Sequence, residues 1–332
     1  MSDFIKKKTI NIFKTAKEKY GIFPTTTWDI NYSDKLTQEL KKKIGDGVFI
    51  HSDHQKDSSC NKDFTGTGSW KAGGGYKNDY WKKDEFTRQG SGSLRYKSAR
   101  KDCFTKETDD ESVHRGKITE SIFSPQIAQY IFSMFAPDKG LCFDPFGGGG
   151  TRAIMASMNG LDYIGVEIRQ EEVGAVNERL KYNKIDNAKI ICSDSQDCNM
   201  IESNIADFSI TCPPYYNMEM YNGGENDLSM KGTYEEFLVG MSKVAKETYR
   251  IMKGNTLTTI VIGLHRDKNK ELLPMHHDFS TIYKKAGFKF KEEIILCHKN
   301  NGALQRVGNF EKGSNILIRT HEYLLVFKKG II

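Results

Sequence analysis

The chain has 332 residues, 38% of them hydrophobic, enough for one large domain of about 200 residues and a smaller attached region. No stretch approaches the roughly 18 consecutive apolar residues of a membrane-crossing helix. The start, MSDFIKKKTI, also lacks the apolar centre of a secretion signal, so a soluble, cytoplasmic protein is expected. The net charge of +6 lies in the first third, because residues 1–120 hold 24 Lys and Arg against 18 Asp and Glu while the remainder holds 25 of each. That placement suits a polyanionic partner or a solvated basic surface equally. The seven cysteines form no C-x-x-C pair and no His stands at zinc-ligand spacing, so neither a disulfide framework nor a metal site is expected.

Residues 1–20 read as a basic amphipathic helix. Residues 51–117 mix Gly, Ser, Lys, Asp and aromatics without a period. They are read as an insertion over the functional face, the other reading being a segment that orders only with substrate. Residues 1–117 are therefore expected to form an irregular basic region, and residues 118–332 the main domain.

From residue 118 short apolar runs alternate with helical patterns, the signature of a doubly wound, mostly parallel α/β sheet. The spacing predicts a helix over Ser124–Phe135, a strand over Leu141–Phe143, and a helix over Thr151–Asn159 closed by Gly160. A strand over Tyr163–Val166, a helix over Gln170–Asn183, and strands over Lys189–Cys192 and Phe208–Thr211 follow. Thr233 and Glu236 form a capping box, after which Phe237, Met241, Val244, Thr248 and Met252 keep one helical face. A strand over Thr256–Gly263, a helix around Phe279–Ala286, and strands over Lys291–Cys297 and Glu322–Phe327 complete seven strands, five parallel ones finished by a hairpin.

The run FDPFGGGGT, residues 143–151, sits between a predicted strand and a predicted helix, where a ligand approaching the backbone closely requires glycine. Glu167 lies twenty residues after Gly147 at the end of the next strand, placed to accept from both ribose hydroxyls. Asp194, at the end of the third strand, would accept from an adenine amino group. The alternative is that both acids are solvent-facing helix caps. The run lacks a following Lys-Ser/Thr, and Asp144 would repel a phosphate. These features favour the cationic nucleoside S-adenosylmethionine over ATP or NAD. The fourth strand ends in Thr211-Cys212-Pro213-Pro214-Tyr215-Tyr216, a rigid turn that would present backbone carbonyls and an aromatic face, as a flipped planar base needs.

Together, DPFGGGGT and TCPPYY resemble the cofactor and catalytic motifs of the amino-methyltransferases of DNA, with a D-P-F-x-G-x-G-T and a [DNST]-P-P-Y element. The resemblance covers residues 118–330 and implies a Rossmann-like methyltransferase fold, S-adenosylmethionine as cofactor, and DNA as partner, double-stranded with the target base flipped out. It implies that Phe146 and Gly147–Gly149 line the methionine part, with Asp144 and Thr151 of the same element in the cofactor set. Ser121 and Phe123 would flank the methionine end, Glu167 the ribose and Asp194 the adenine. Thr211, Cys212, Pro213, Pro214 and Tyr215 would form the catalytic turn, with the Pro213 carbonyl on the target amine and Tyr215 stacked on the base.

The sequence departs from the family at Cys212, where Asp, Asn or Ser usually stands; a thiol is a weak acceptor, so either its backbone or Thr211 substitutes, or the target differs from the usual one. Cysteine is nearest to serine, which inclines the reading to N4 of cytosine over N6 of adenine. A Cys212 nucleophile attacking a cytosine carbon is a competing reading. Target recognition, as in restriction-modification enzymes, would fall to residues 1–117 or to Asn300–Thr320 with Arg306, Lys312 and Arg319. Trp70, Tyr76, Tyr80 and Trp81, interleaved with Lys71, Lys77, Lys82 and Lys83, form either a small core or a stacking surface. His265-Arg266-Asp267 points to the same edge or forms a simple turn. An RNA or protein-glutamine methyltransferase, or a catalytically silent nucleic-acid-binding partner, would keep the same fold.

Overall fold

The computed structural model describes residues 25–31, 35–43, 86–89, 93–96, 123–217, 223–299, 317 and 319–330. In chain order the first elements are β1 (Thr27–Asn31), α1 (Lys35–Lys43), β2 (Phe86–Gln89) and β3 (Ser93–Tyr96). After them come α2 (Pro125–Phe135), β4 (Gly140–Asp144), α3 (Thr151–Met158), β5 (Leu161–Glu167), α4 (Gln170–Tyr182), β6 (Ala188–Cys192) and β7 (Ala206–Thr211). A 3₁₀ turn at Leu228–Met230 leads to α5 (Tyr234–Ile251), β8 (Met252–Ile262), β9 (His265–Arg266), β10 (Leu272–Leu273), α6 (Met275–Lys285), β11 (Lys289–Lys299) and β12 (His321–Lys328).

The main sheet has the order β1-β11-β12-β8-β7-β4-β5-β6. β6, β5, β4, β7 and β8 run parallel, β12 lies antiparallel between β8 and β11, and β1 runs parallel to β11. The strand order reverses at β4, with β5 on one side and β7 on the other, which leaves a crevice at the carboxyl ends of these strands. Apolar residues of α2, α3 and α4, among them Ile131, Ile154 and Val176, pack on one face. Those of α5 and α6, among them Phe237, Val244 and Phe279, pack on the other, giving the doubly wound arrangement.

Local chemistry explains where the helices begin. Ser124 caps α2, with Pro125 in its first turn. The capping box of α5 is formed: Thr233 Oγ1 accepts from the Glu236 N–H at 3.1 Å, and the Glu236 carboxylate accepts from the Thr233 N–H at 3.3 Å. α6 begins at Met275, earlier than its apolar spacing suggests, because Pro274 stands directly before it.

The sheet has eight strands, not seven. The additional strand, β1, belongs to the region expected to be irregular, and it pairs with β11 from Thr27 opposite Ile295 to Asn31 opposite Lys299. Its side chains alternate, with Trp28 and Ile30 buried. Trp28 stacks on Phe135 and meets Tyr130 edge-on, both at 6.1 Å between ring centroids. Two apolar residues in a strand of five give little period to read. β2 and β3 pair antiparallel as a separate ribbon, and β9 and β10 form a short hairpin where a turn at His265–Asp267 was one reading. The helix expected over residues 1–20 and the aromatic cluster at residues 70–83 lie outside the described residues. No described helix is long and apolar enough to cross a membrane.

If β1 is an integral strand of the core, Trp28→Ala lowers the unfolding free energy by about 3–5 kcal/mol, measured by urea denaturation. A loss below about 1 kcal/mol would show that this strand contributes only edge pairing.

Candidate functional site

The glycine run follows β4 and turns the chain into α3. Gly148 and Gly150 have φ of 48° and 76°, and a Cβ on Gly150 would lie 2.6 Å from Val176 Cγ1, so this turn needs glycine for both conformation and space. The Gly147 N–H donates to the Val166 carbonyl at 2.7 Å, which lays the run across the end of β5. Gly150 is the N-cap of α3 and offers no side chain, so no side chain caps that helix start.

Beneath the run lies Asp144, fully buried at the end of β4. Its Oδ1 accepts from the Phe146 N–H at 3.0 Å and from Thr211 Oγ1 at 2.8 Å. Its Oδ2 accepts from Arg152 Nε at 2.6 Å and from Tyr163 Oη at 2.7 Å. Burial works against the Arg152 cation, but the carboxylate beside it carries its pKa above the ordinary guanidinium value. Desolvation and the same carboxylate push the Tyr163 hydroxyl well up, so it remains a donor. Arg152 also donates from Nη2 to the Phe146 carbonyl.

At the end of β5, Glu167 Oε2 accepts from the Gly148 N–H at 3.1 Å and Oε1 from the Arg169 N–H at 3.0 Å. Burial raises its pKa, while the Arg169 N–H and guanidinium and the Gly148 N–H oppose that rise. Each carboxylate oxygen has room for another donor. Asp194 follows β6 and accepts from the Gln196 N–H at 2.8 Å. The far wall is Asn226, Asp227 and Leu228, held by buried Asp227, which accepts from the Ser229 N–H at 2.9 Å and the Gly223 N–H at 3.0 Å.

The Pro213-Pro214 turn leaves β7 and is pinned from two sides. Tyr215 Oη accepts from the Gly263 N–H at 2.8 Å and lies 3.4 Å from Glu322 Oε1, and Glu322 Oε2 lies 2.9 Å from His298 Nε2. Tyr216 packs among Tyr234 and Phe237 and donates to the Gly232 carbonyl at 3.2 Å. Asn217 N–H donates to the Ser229 carbonyl at 2.9 Å, joining the turn to the far wall.

One cleft thus gathers Phe123, Phe146, Gly147–Thr151, Glu167, Asp194 and Cys212–Tyr215. Ser121 lies outside the described residues, as do Arg306 and Lys312. Asp144 and Thr211 do not line the cleft; their side chains are bonded to each other below it, so Thr211 does not stand in for the weak acceptor at Cys212. Arg152, Arg169, Glu172, Ser195 and the Asn226–Leu228 wall also line it and were not read from the sequence. The spacing of Asp227 and Ser229 is that of an Asx turn, the one local signal for that wall. Among the described residues no group of three or more His, Cys, Asp and Glu is placed to hold a metal.

The residues present fit S-adenosylmethionine. A glycine cradle passes under the cleft, two carboxylates stand at successive strand ends, and aromatic rings close the end beside α3.

The DNA methylase family matches residues 4–178 and 206–331, a span that includes both the glycine run and the Pro-Pro turn. A 61-residue segment is 41% identical to the orphan methyltransferase M.BamHII of Bacillus amyloliquefaciens, covering 18% of this chain and 23% of that protein. The match therefore spans under a quarter of that relative's length. Among solved structures, TrmN from Thermus thermophilus is 14% identical with a TM-score of 0.41, over 62% of this chain and 49% of that one. An S-adenosylmethionine-dependent methyltransferase from Methanosarcina mazei is 11% identical with a TM-score of 0.42, over 61% and 98%. By the extent of the family match and the motifs inside it, the chain belongs to the DNA methylase family, whose cofactor is S-adenosylmethionine.

Proposed function

We propose that this protein transfers a methyl group from S-adenosylmethionine to an exocyclic amino nitrogen of a base flipped out of double-stranded DNA, N4 of cytosine in preference to N6 of adenine. The observation that carries the reading is the meeting of the glycine run and the Pro-Pro-Tyr turn in one cleft. When bound, the cofactor supplies an electrophilic methyl group. Glu167 accepts from its ribose hydroxyls and Asp194 from its adenine amino group. Gly147–Gly149 and Phe146 pass along the methionine part, which Phe123 flanks.

The turn holds the base. The Tyr215 ring stacks on it, fixed by Gly263 and Glu322 so that little is reorganised on binding. The Pro213 carbonyl and the Cys212 backbone would accept from the target amine and stabilise positive charge on its nitrogen as the methyl group passes to it, the sulfur–methyl bond breaking to leave S-adenosylhomocysteine. The proton then passes to solvent. The preference for cytosine rests on Cys212, the nearest isostere of the serine found in that class of turn.

Radiolabelled methyl transfer to DNA, RNA and total protein tests the substrate class, with incorporation into DNA alone expected. Nucleoside digestion of the labelled DNA is expected to yield N4-methyldeoxycytidine; N6-methyldeoxyadenosine would overturn the base preference while leaving the amino-transfer reading intact. Glu167→Gln should weaken S-adenosylhomocysteine binding by about tenfold or more, measured by calorimetry. Tyr215→Ala should lower kcat/KM for DNA by about ten- to a hundredfold with cofactor affinity unchanged, whereas Tyr215→Phe, which keeps the ring, should retain most activity.

A further inference from the structure

The charged residues lining the cleft are four acids, Glu167, Glu172, Asp194 and Asp227, against two arginines, yet the cofactor proposed for it carries an α-carboxylate that needs a cationic or N–H partner. Two cations line the cleft. Arg169 sits at the ribose side, where its Nη2 is 2.7 Å from Glu172 and its Nε 3.7 Å from Glu167. Arg152 is at the other end, 5% exposed, with its guanidinium carbon 4.8 Å from the centroid of the Phe123 ring. The ring fixes the plane of the guanidinium from one side. On its other edges Nε is spent on Asp144 and Nη2 on the Phe146 carbonyl, while Nη1 donates to no described residue. The uncapped first turn of α3, to which Arg152 itself belongs, opens at the same place and adds N–H groups and a positive dipole end.

We propose that Arg152 is the residue that receives the α-carboxylate of the cofactor, through Nη1 and alongside the free N–H groups at the start of α3. The assignment rests on the cofactor reading of this cleft. Asp144 then does two things at once: it offsets the buried charge of Arg152 and, by holding Nε, leaves Nη1 for the ligand. The sequence places an arginine directly after the Gly-Thr of the glycine run, so the cation is carried by the same helix that the run initiates.

The test compares two nucleosides that differ by the carboxylate alone, S-adenosylhomocysteine and S-adenosyl-3-thiopropylamine, by calorimetry on the full chain. Wild type should bind the first about ten- to a hundredfold more tightly. Arg152→Met should bring the two affinities within about twofold by weakening only the first, and Arg152→Lys should restore part of the difference. Because Arg152→Met leaves Asp144 buried without its partner, the double variant Asp144→Asn with Arg152→Met, which removes both charges, is used if the single variant does not fold, and there the ratio of the two affinities, compared with that of Asp144→Asn alone, is the readout. If the two nucleosides bind wild type equally, or if the variants weaken both in the same proportion, the assignment is overturned and the cofactor site stands. If wild type binds neither nucleoside, the assignment falls together with the cofactor reading.

Discussion

A single buried carboxylate organises this site. Asp144 ends β4 with no exposure to solvent, and its two oxygens accept from four groups on different parts of the fold: the backbone after it, a helix, and the strands on either side. In a dry interior a buried carboxylate holds its surroundings rigid when its acceptor capacity is filled, and here Asp144 takes four donors, three of them the side chains of Arg152, Tyr163 and Thr211. Thr211 is the residue directly before Cys212, and Arg152 is the second residue of the helix that the glycine run begins. The two motifs that define the site therefore share one anchor, although 67 residues separate Asp144 from Thr211.

The anchor also explains why the lining of the cleft can be so short of secondary structure. The glycine run is fixed below by Asp144 and beside it by the Val166 carbonyl and Glu167. Arg179 of α4 reaches the Gly149 carbonyl from behind. The Pro-Pro turn is fixed at Thr211 on one end and by Tyr215, Tyr216 and Asn217 on the other. Loops held at both ends by a rigid sheet can present backbone N–H and C=O groups to a ligand at little reorganisation cost, the condition under which positioning and electrostatic stabilisation do most of the catalytic work.

Much of this was legible in the sequence where the signal is local. The capping box at Thr233 and Glu236, the glycine run and the Pro-Pro turn each announce themselves within a few residues, and the alternation of apolar runs fixes the order of elements from residue 123 onward. What failed to show is what depends on distant partners. β1 has two buried residues in five and becomes a strand only by pairing with β11, more than 260 residues away. Asp144 read as a ligand-facing acid because nothing in its neighbourhood reveals that Arg152, Tyr163 and Thr211 converge on it. The Asn226–Leu228 wall is a turn stabilised by its own side chains, without the period that marks a helix or strand.

Asp144 joins the glycine run and the Pro-Pro turn into one unit. Hydrogen–deuterium exchange on wild type and on Asp144→Asn, each with and without S-adenosylhomocysteine, reads both segments at once. The ligand is expected to slow exchange at residues 146–152 and at residues 212–217 together in wild type, and both segments should exchange faster together in the variant. A variant in which residues 146–152 open while residues 212–217 exchange as in wild type would contradict this.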